Sequence, residues 1–418
     1  MTAPSHPIQD VAKEAPQSGG GCPVQGNVDQ LLVSDPYQAY ALLWSQGDGT
    51  VWHEPTRSWY VTDPARIREM LTDRRFVARG ASPLEPALDD APGAQAVLEL
   101  EAFLGCWPVF SDAPIQRAAS QALRKHFSRA QAERLRPTLR EAFAEIVHRA
   151  DSRKLVSTFA QPVSQVTLSL LLRLPVEEVN QLRAMTAPTI TYLAHDGQDV
   201  ALARAALTRI MDLEAWLSAR GRTQDDWLLN ELNAAGVELT SRELAAVYMQ
   251  IVTGALDPTS NALIGALKCI KHAPEARGLM AAGDFAGLVN RCLSRDTGFH
   301  FAPRRSQCPI TFHGHHVGPG ERVVGVVAWA AAVDAETDGH AAESGALPPH
   351  ATSMAFGYGR HFCLGASIAQ VTLEEALRSL LSHRDPAELE IDGVERIPAL
   401  GASVYRDGSS RPKIPDME

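Results

Sequence analysis

The segment Phe356-Gly357-Tyr358-Gly359-Arg360-His361-Phe362-Cys363-Leu364-Gly365 constrains this chain more than any other stretch. Glycines at i and i+2 permit a tight loop whose backbone can approach a flat ligand closely. Cys363 stands just before ASIAQVTLEEAL, a run with the apolar spacing of a helix. A helix N-terminus carries unpaired N–H groups and a partial positive charge. Both favour a thiolate over a thiol at Cys363, and N–H groups near a ligating sulfur tune its electron donation. His361 can reach an anionic group at the rim of a flat ligand. The bland alternative is a buried cysteine in a glycine-rich turn.

Composition narrows the classes. The chain has 418 residues, 45% of them hydrophobic, which is ample for a large core. Its formal net charge of −10 gives no electrostatic reason to bind nucleic acid or an anionic membrane. Arg124 and Lys125 form a local basic pair. The six cysteines, Cys22, Cys106, Cys269, Cys292, Cys308 and Cys363, contain no CxxC pair and no zinc-like spacing. They are too few for a disulfide framework, so a cytoplasmic setting is expected. No run of about 18 apolar residues is present to span a bilayer. Residues 1–27 are polar and rich in Pro and Gly, without the apolar core of a signal peptide. They read as a flexible N-terminal arm.

From Asp35 onward the pattern is globular. Asp35-Pro36 can cap and open a helix that runs to about Gly47. TVWHEPTRSWYVTD alternates around a turn-like EPTR and reads as a β-hairpin, and Pro64 opens another helix. Helical periodicity marks 130–150, 176–187, 200–220 and 241–271. Residues 309–327 read as short strands, 334–353 as irregular, and the stretch from Cys363 to Leu381 as a helix. The last 35 residues read as short strands and turns. The expected architecture over residues 28–418 is mainly α, a single large helical domain with a smaller β-rich lobe.

The pattern Phe-Gly-x-Gly-x-His-x-Cys-x-Gly resembles the haem-binding loop of cytochromes P450, and the resemblance extends from about Asp35 to the C-terminus. It implies haem b held by Cys363 as the iron ligand. The loop's Phe356, Gly357, His361 and Gly365 would line the haem, with Arg304 of Phe301-Ala302-Pro303-Arg304 on a propionate. It also implies a long distal helix carrying Gly254-Ala255-Leu256-Asp257, in which Ala255 faces the haem and Asp257 supplies protons. The anchor-free form resembles bacterial members fed by a ferredoxin or flavodoxin, acting as monomers on small molecules. A lid near 83–108, a roof near 176–200 and strands near Phe299–Ala302 and Leu400–Val404 would then face substrate. Core packing is the competing explanation for Trp107, Phe110 and Tyr192, and His300 reads equally as a satisfied buried histidine.

Three departures stand against this pattern. Asp257 is followed by Pro258 where the family has Thr; Thr259 lies one position late, turned about 100° around the helix. A helix-interior Pro costs about 3 kcal/mol unless the helix is already distorted. The competing reading of Asp257 is a solvated helix residue. The family's Glu-x-x-Arg would fall on Arg291-Cys292-Leu293-Ser294, where neither residue is in place; Arg295-Asp296 is a shifted candidate. Its usual partner segment here contains His340 and His350 but no Arg. Finally, Gln116 and Ser120 occupy the register of two propionate-binding residues. Gln116 can still donate a hydrogen bond, and Arg117 and Arg124 are candidates to compensate, or else solvated surface residues. Three functions remain open: a monooxygenase using Asp257 and Thr259, other haem-thiolate chemistry (peroxide-driven oxidation, coupling, cyclisation or rearrangement), and a haem-free docking module.

Overall fold

A computed structural model describes residues 25–78, 93–112, 115–194, 199–221, 226–343, 354–397, 399 and 401–408. Fifteen α-helices appear among them. They are α1 (Gln25–Ser34), α2 (Pro36–Ser45), α3 (Pro64–Thr72), α4 (Ala94–Leu104) and α5 (Ile115–Leu123). Next come α6 (Arg129–Arg149), α7 (Gln161–Leu172), α8 (Val176–Ala194), α9 (Val200–Gly221) and α10 (Trp227–Ala234). The rest are α11 (Ser241–His272), α12 (Pro274–Ala281), α13 (Phe285–Arg295), α14 (Val327–Glu343) and α15 (Ala366–Leu381).

Local chemistry sets the boundaries of several of these. Asp35 caps α2 by accepting from Gln38 N at 3.2 Å, with Pro36 at the first helical position. Asp63 does the same for α3 through Arg66 N at 2.9 Å. The 32-residue α11 opens on a reciprocal capping box between Thr240 and Glu243. It runs through the largest core cluster, where Val252, Leu263, Ile264 and Ile270 are fully buried.

The β-lobe is built on a five-stranded sheet in the order β1-β2-β7-β4-β3. Its strands are β1 (Thr50–His53), β2 (Ser58–Val61), β3 (Phe76–Val77), β4 (Phe301–Ser306) and β7 (Arg322–Val326). β1 and β2 form the expected hairpin, β2 and β7 run parallel, and Arg304 of β4 lies opposite Val323 of β7. Two further hairpins pair β5 (Ile310–Phe312) with β6 (His315–Val317), and β8 (Val394–Arg396) with β9 (Tyr405–Asp407). Two smaller apolar clusters sit on the faces of the large sheet.

Two expectations are corrected. Helix α1 starts at Gln25, inside the stretch read as a flexible arm; residues 1–24 lie outside the described residues. The segment read as irregular from 334 is helical to Glu343. Its AAAVDAE composition favours helix strongly enough to carry through Gly339. Residues 344–353, with His350, are outside the described set, as is the side chain of His340. No helix among the described residues is long and apolar enough to cross a membrane.

Candidate functional site

The Cys363 loop is two short 3₁₀ turns, Met354–Phe356 and Gly359–His361, closed by Cys363 N donating to Phe356 O at 3.0 Å. Gly357 and Gly359 have φ of +74° and +70°, the left-handed region that favours glycine. A Cβ on Gly359 would also meet Leu71 O at 3.0 Å. Gly365 is the N-cap of α15, and the N–H groups of Gly365 and Ala366 are directed at the Cys363 sulfur. Cys363 is exposed by surface area although protein surrounds it, which places it on the wall of an internal recess. Burial pushes the thiol up, and the two N–H groups only partly offset this. The helix end therefore favours the thiolate as expected, against the opposing desolvation of the buried sulfur.

Beside this loop lies a cluster of positive groups. Arg304 is 5% exposed, donates to Pro303 O at 2.8 Å and leaves Nε without a partner. Burial lowers its pKa to about 10, with Asp112 pulling the other way and Arg360 adding repulsion. His361 Nε2 sits 3.2 Å from Asp112 Oδ1, and Arg360 approaches the same oxygen at 3.7 Å. Burial and Arg304 lower the His361 pKa, while Asp112 opposes them. Asp112 is fixed by Ala78 N at 3.0 Å, and Arg360 by Phe76 O at 3.1 Å. One carboxylate thus faces two guanidinium groups and an imidazole. A buried cation without an adequate counter-charge is costly, so the cluster is complementary to an added anion. Gln116 donates to Arg360 O at 2.8 Å and to Ser120 Oγ at 3.3 Å, which ties α5 to the loop. Arg117 and Arg124 are exposed beside it.

Helix α11 carries the remaining candidates. Gly254 is exposed, Ala255 is half-buried, and nothing lies within 4 Å of a Cβ built on Gly254. Asp257 lies on the same stripe with its side chain 50% exposed, and Arg183 of α8 reaches its Oδ1 at 3.4 Å. Burial raises the Asp257 carboxyl and Arg183 lowers it, for a net rise. Protein lies around this carboxyl although half of its side chain remains accessible. Pro258 packs against the loop after α13, where a Cβ on Gly298 would meet its Cβ at 3.2 Å. Thr259 is only 9% exposed and lies about 200° from Asp257 around the helix, so the two are not brought together. Ser260 is closer to the Asp257 face, though buried.

Other candidates resolve more simply. His300 is fully buried between Tyr40 OH at 2.8 Å and Ser403 Oγ at 3.0 Å, which supports the satisfied-histidine reading. The shifted candidate Arg295-Asp296 does not pair: Arg295 and Arg291 share Glu275, while Asp296 accepts from Ser403 and Tyr405. Sequence reasoning missed Arg183 and a buried ionic clamp on α15. There Glu375 is 0% exposed and binds Arg136 at 2.7 Å and Arg140 at 2.8 Å, while Glu374 binds Arg136 at 2.8 Å. Adjacent glutamates on an otherwise apolar helix face were the available signal.

The fold that carries this cysteine loop is mainly α with a smaller β-lobe. Solved structures share it. The crystal structure of CalO2 matches with a TM-score of 0.73 at 20% identity over 90% of this chain and 95% of that one. P450BioI, in complex with an acyl carrier protein ligated to hexadec-9Z-enoic acid, matches at 0.72 and 19% identity over 90% and 98%. In sequence, the cytochrome P450 monooxygenase PikC of Streptomyces venezuelae is 24% identical over 398 residues, 89% of each chain. Cytochrome P450-SU2 of Streptomyces griseolus is 26% identical over 412 residues, 96% of this chain and 95% of its own. No family model matches the chain. Over nearly its whole length the chain is thus similar to bacterial cytochrome P450 enzymes, which are oxidoreductases.

Proposed function

We propose that residues 28–418 bind haem b through Cys363 and act as a monooxygenase on a small natural product. Dioxygen and electrons from a ferredoxin or flavodoxin would drive the reaction. The carrying observation is the coincidence of an accessible cysteine thiol, aimed at by two N–H groups, with the under-compensated Arg304–His361–Arg360 cluster. These residues fit the group: a sulfur for the iron and cations for the propionates. The left-handed glycines would let the Phe356–Gly365 backbone approach the group closely, and Gly254 leaves open space beside α11.

Haem, when bound, supplies the iron at which dioxygen is activated. The residues of this chain do the rest. Gly365 and Ala366 hold negative charge on the Cys363 sulfur. Arg304 and His361 neutralise the propionates, and Gln116 holds the loop through Arg360 O. Asp257 would hold a proton at its carboxyl oxygen beside Arg183. The exposed Arg117 and Arg124 offer positive charge to an acidic electron donor. The same reading has the protein working as a cytoplasmic monomer. Pyridine haemochrome analysis of protein expressed with ample haem tests the proposal; one haem b per chain is expected, and a colourless folded protein would overturn it.

A second reading has one specific support. Pro258 stands where a relay alcohol is expected, and Thr259 turns away from Asp257. Peroxide-driven or other non-standard chemistry follows if turnover with peroxide exceeds turnover with a ferredoxin system.

A further inference from the structure

Gln250, Gly254 and Asp257 form one stripe of α11, at i, i+4 and i+7. At its first end, Gln250 Oε1 accepts from Val109 N at 2.8 Å, which seats the Trp107–Phe110 turn against α11. The Trp107 and Phe110 rings are stacked there, with centroids 5.8 Å apart and planes at 16°. The middle is the bare backbone of Gly254. At the far end, about 10 Å along the axis, stands the Asp257–Arg183 pair. The stripe thus has half-buried Phe110 beside buried Trp107 near one end, open space in the middle and a charged pair at the other.

That pair is loose: one contact of 3.4 Å, with side chains 33% and 50% exposed. Four of the five guanidinium N–H donors remain for another acceptor. The two partners are also unequal. An arginine keeps its charge under all ordinary conditions, whereas a carboxylate can take up a proton. Arg183 is the charged neighbour that opposes desolvation at Asp257, and desolvation, the larger of the two, favours the protonated acid. The pair can therefore become net positive by protonating Asp257, but it cannot become net negative.

We propose that Arg183 anchors a carboxylate on the substrate, whose apolar body lies along Gly254 toward Trp107 and Phe110, and that seating this anion draws one proton from solvent onto Asp257. The inference rests on the reading of this recess as the substrate pocket. It adds a substrate class and a reason for the acid to be loaded only when substrate is present.

The test is calorimetric titration of the haem-loaded protein with phenylbutyrate, its methyl ester and phenylbutylamine, each in two buffers of different ionisation enthalpy. The acid is expected to bind about tenfold or more tightly than the ester, with uptake of close to one proton, and its affinity falls as pH rises. Arg183→Met removes the acid's advantage; Arg183→Lys keeps part of it. Asp257→Asn removes the proton uptake while retaining the preference for acid. Equal binding of ester and acid, tighter binding of the amine, or buffer-independent enthalpy overturns the proposal. Loss of haem in the starting protein would instead overturn the underlying functional reading, so the two failures are separable.

Discussion

Substitution Glu375→Gln probes the clamp that holds α15, and with it the Cys363 loop, against α6. The Glu375 side chain is 0% exposed and receives Arg136 at 2.7 Å and Arg140 at 2.8 Å. Burial opposes its charge, but the Arg140 and Arg136 guanidinium groups outweigh this and hold the carboxyl below its usual range. Breaking one partner of a buried pair typically costs 3–5 kcal/mol. Two features reduce that here: Arg136 keeps Glu374 and Glu133, and Arg140 is largely exposed and rehydrates. The expected loss is about 2–3 kcal/mol. The sign with pH follows from linkage. A carboxyl whose folded pKa is depressed contributes stability above its unfolded value, about 4.3, and loses it as pH falls through the folded value. Urea unfolding of the haem-loaded protein should show the full gap between wild type and variant at neutral pH, at equal m-value. The gap should close in acid. A difference below about 1 kcal/mol at neutral pH, or one that does not narrow in acid, would refute the clamp's role.

Two further predictions use the site's unusual polar groups. Arg304→Leu removes a buried guanidinium with an unpartnered Nε. It should stabilise the haem-free protein by about 1–3 kcal/mol while speeding haem transfer to apomyoglobin; a change of the same sign in both assays contradicts the propionate assignment. His300→Ala leaves Tyr40 OH without its partner in a buried setting, while Ser403 keeps Asp296, and with the cavity it should cost about 3 kcal/mol by urea unfolding. Burial lowers the His300 pKa to about 3. The unfolded chain then binds a proton below its ordinary value of about 6.5 while the folded one does not, so stability falls with pH in that window. The variant should flatten that slope, and an unchanged slope would show that His300 titrates normally.

Much of this was legible in short-range chemistry. Asp35-Pro36, Asp63-Pro64 and Thr240 with Glu243 carry their helix starts in a few residues, and Gly357 and Gly359 announce a turn that needs positive φ. What was not legible depends on distant segments meeting. Arg183 and Asp257 are 74 residues apart, and Arg140 and Glu375 235 apart, so no local pattern joins them. The misread second half of α14 has a local cause: Gly339 and His340 break the pattern less than the longer alanine-rich run favours helix. Burial, which opposes the thiolate at Cys363, cannot be read from a helix N-terminus alone.

The central claim is that Cys363 ligates a haem iron as a thiolate. The most direct measurement is the absorption difference on adding carbon monoxide to the dithionite-reduced protein, compared with Cys363→His. The account predicts the red-shifted band characteristic of thiolate-ligated haem in the wild type and its replacement by the band of nitrogen-ligated haem in the variant. A haem-loaded wild-type protein without the thiolate band, or a Cys363→His variant that keeps it, would contradict the assignment.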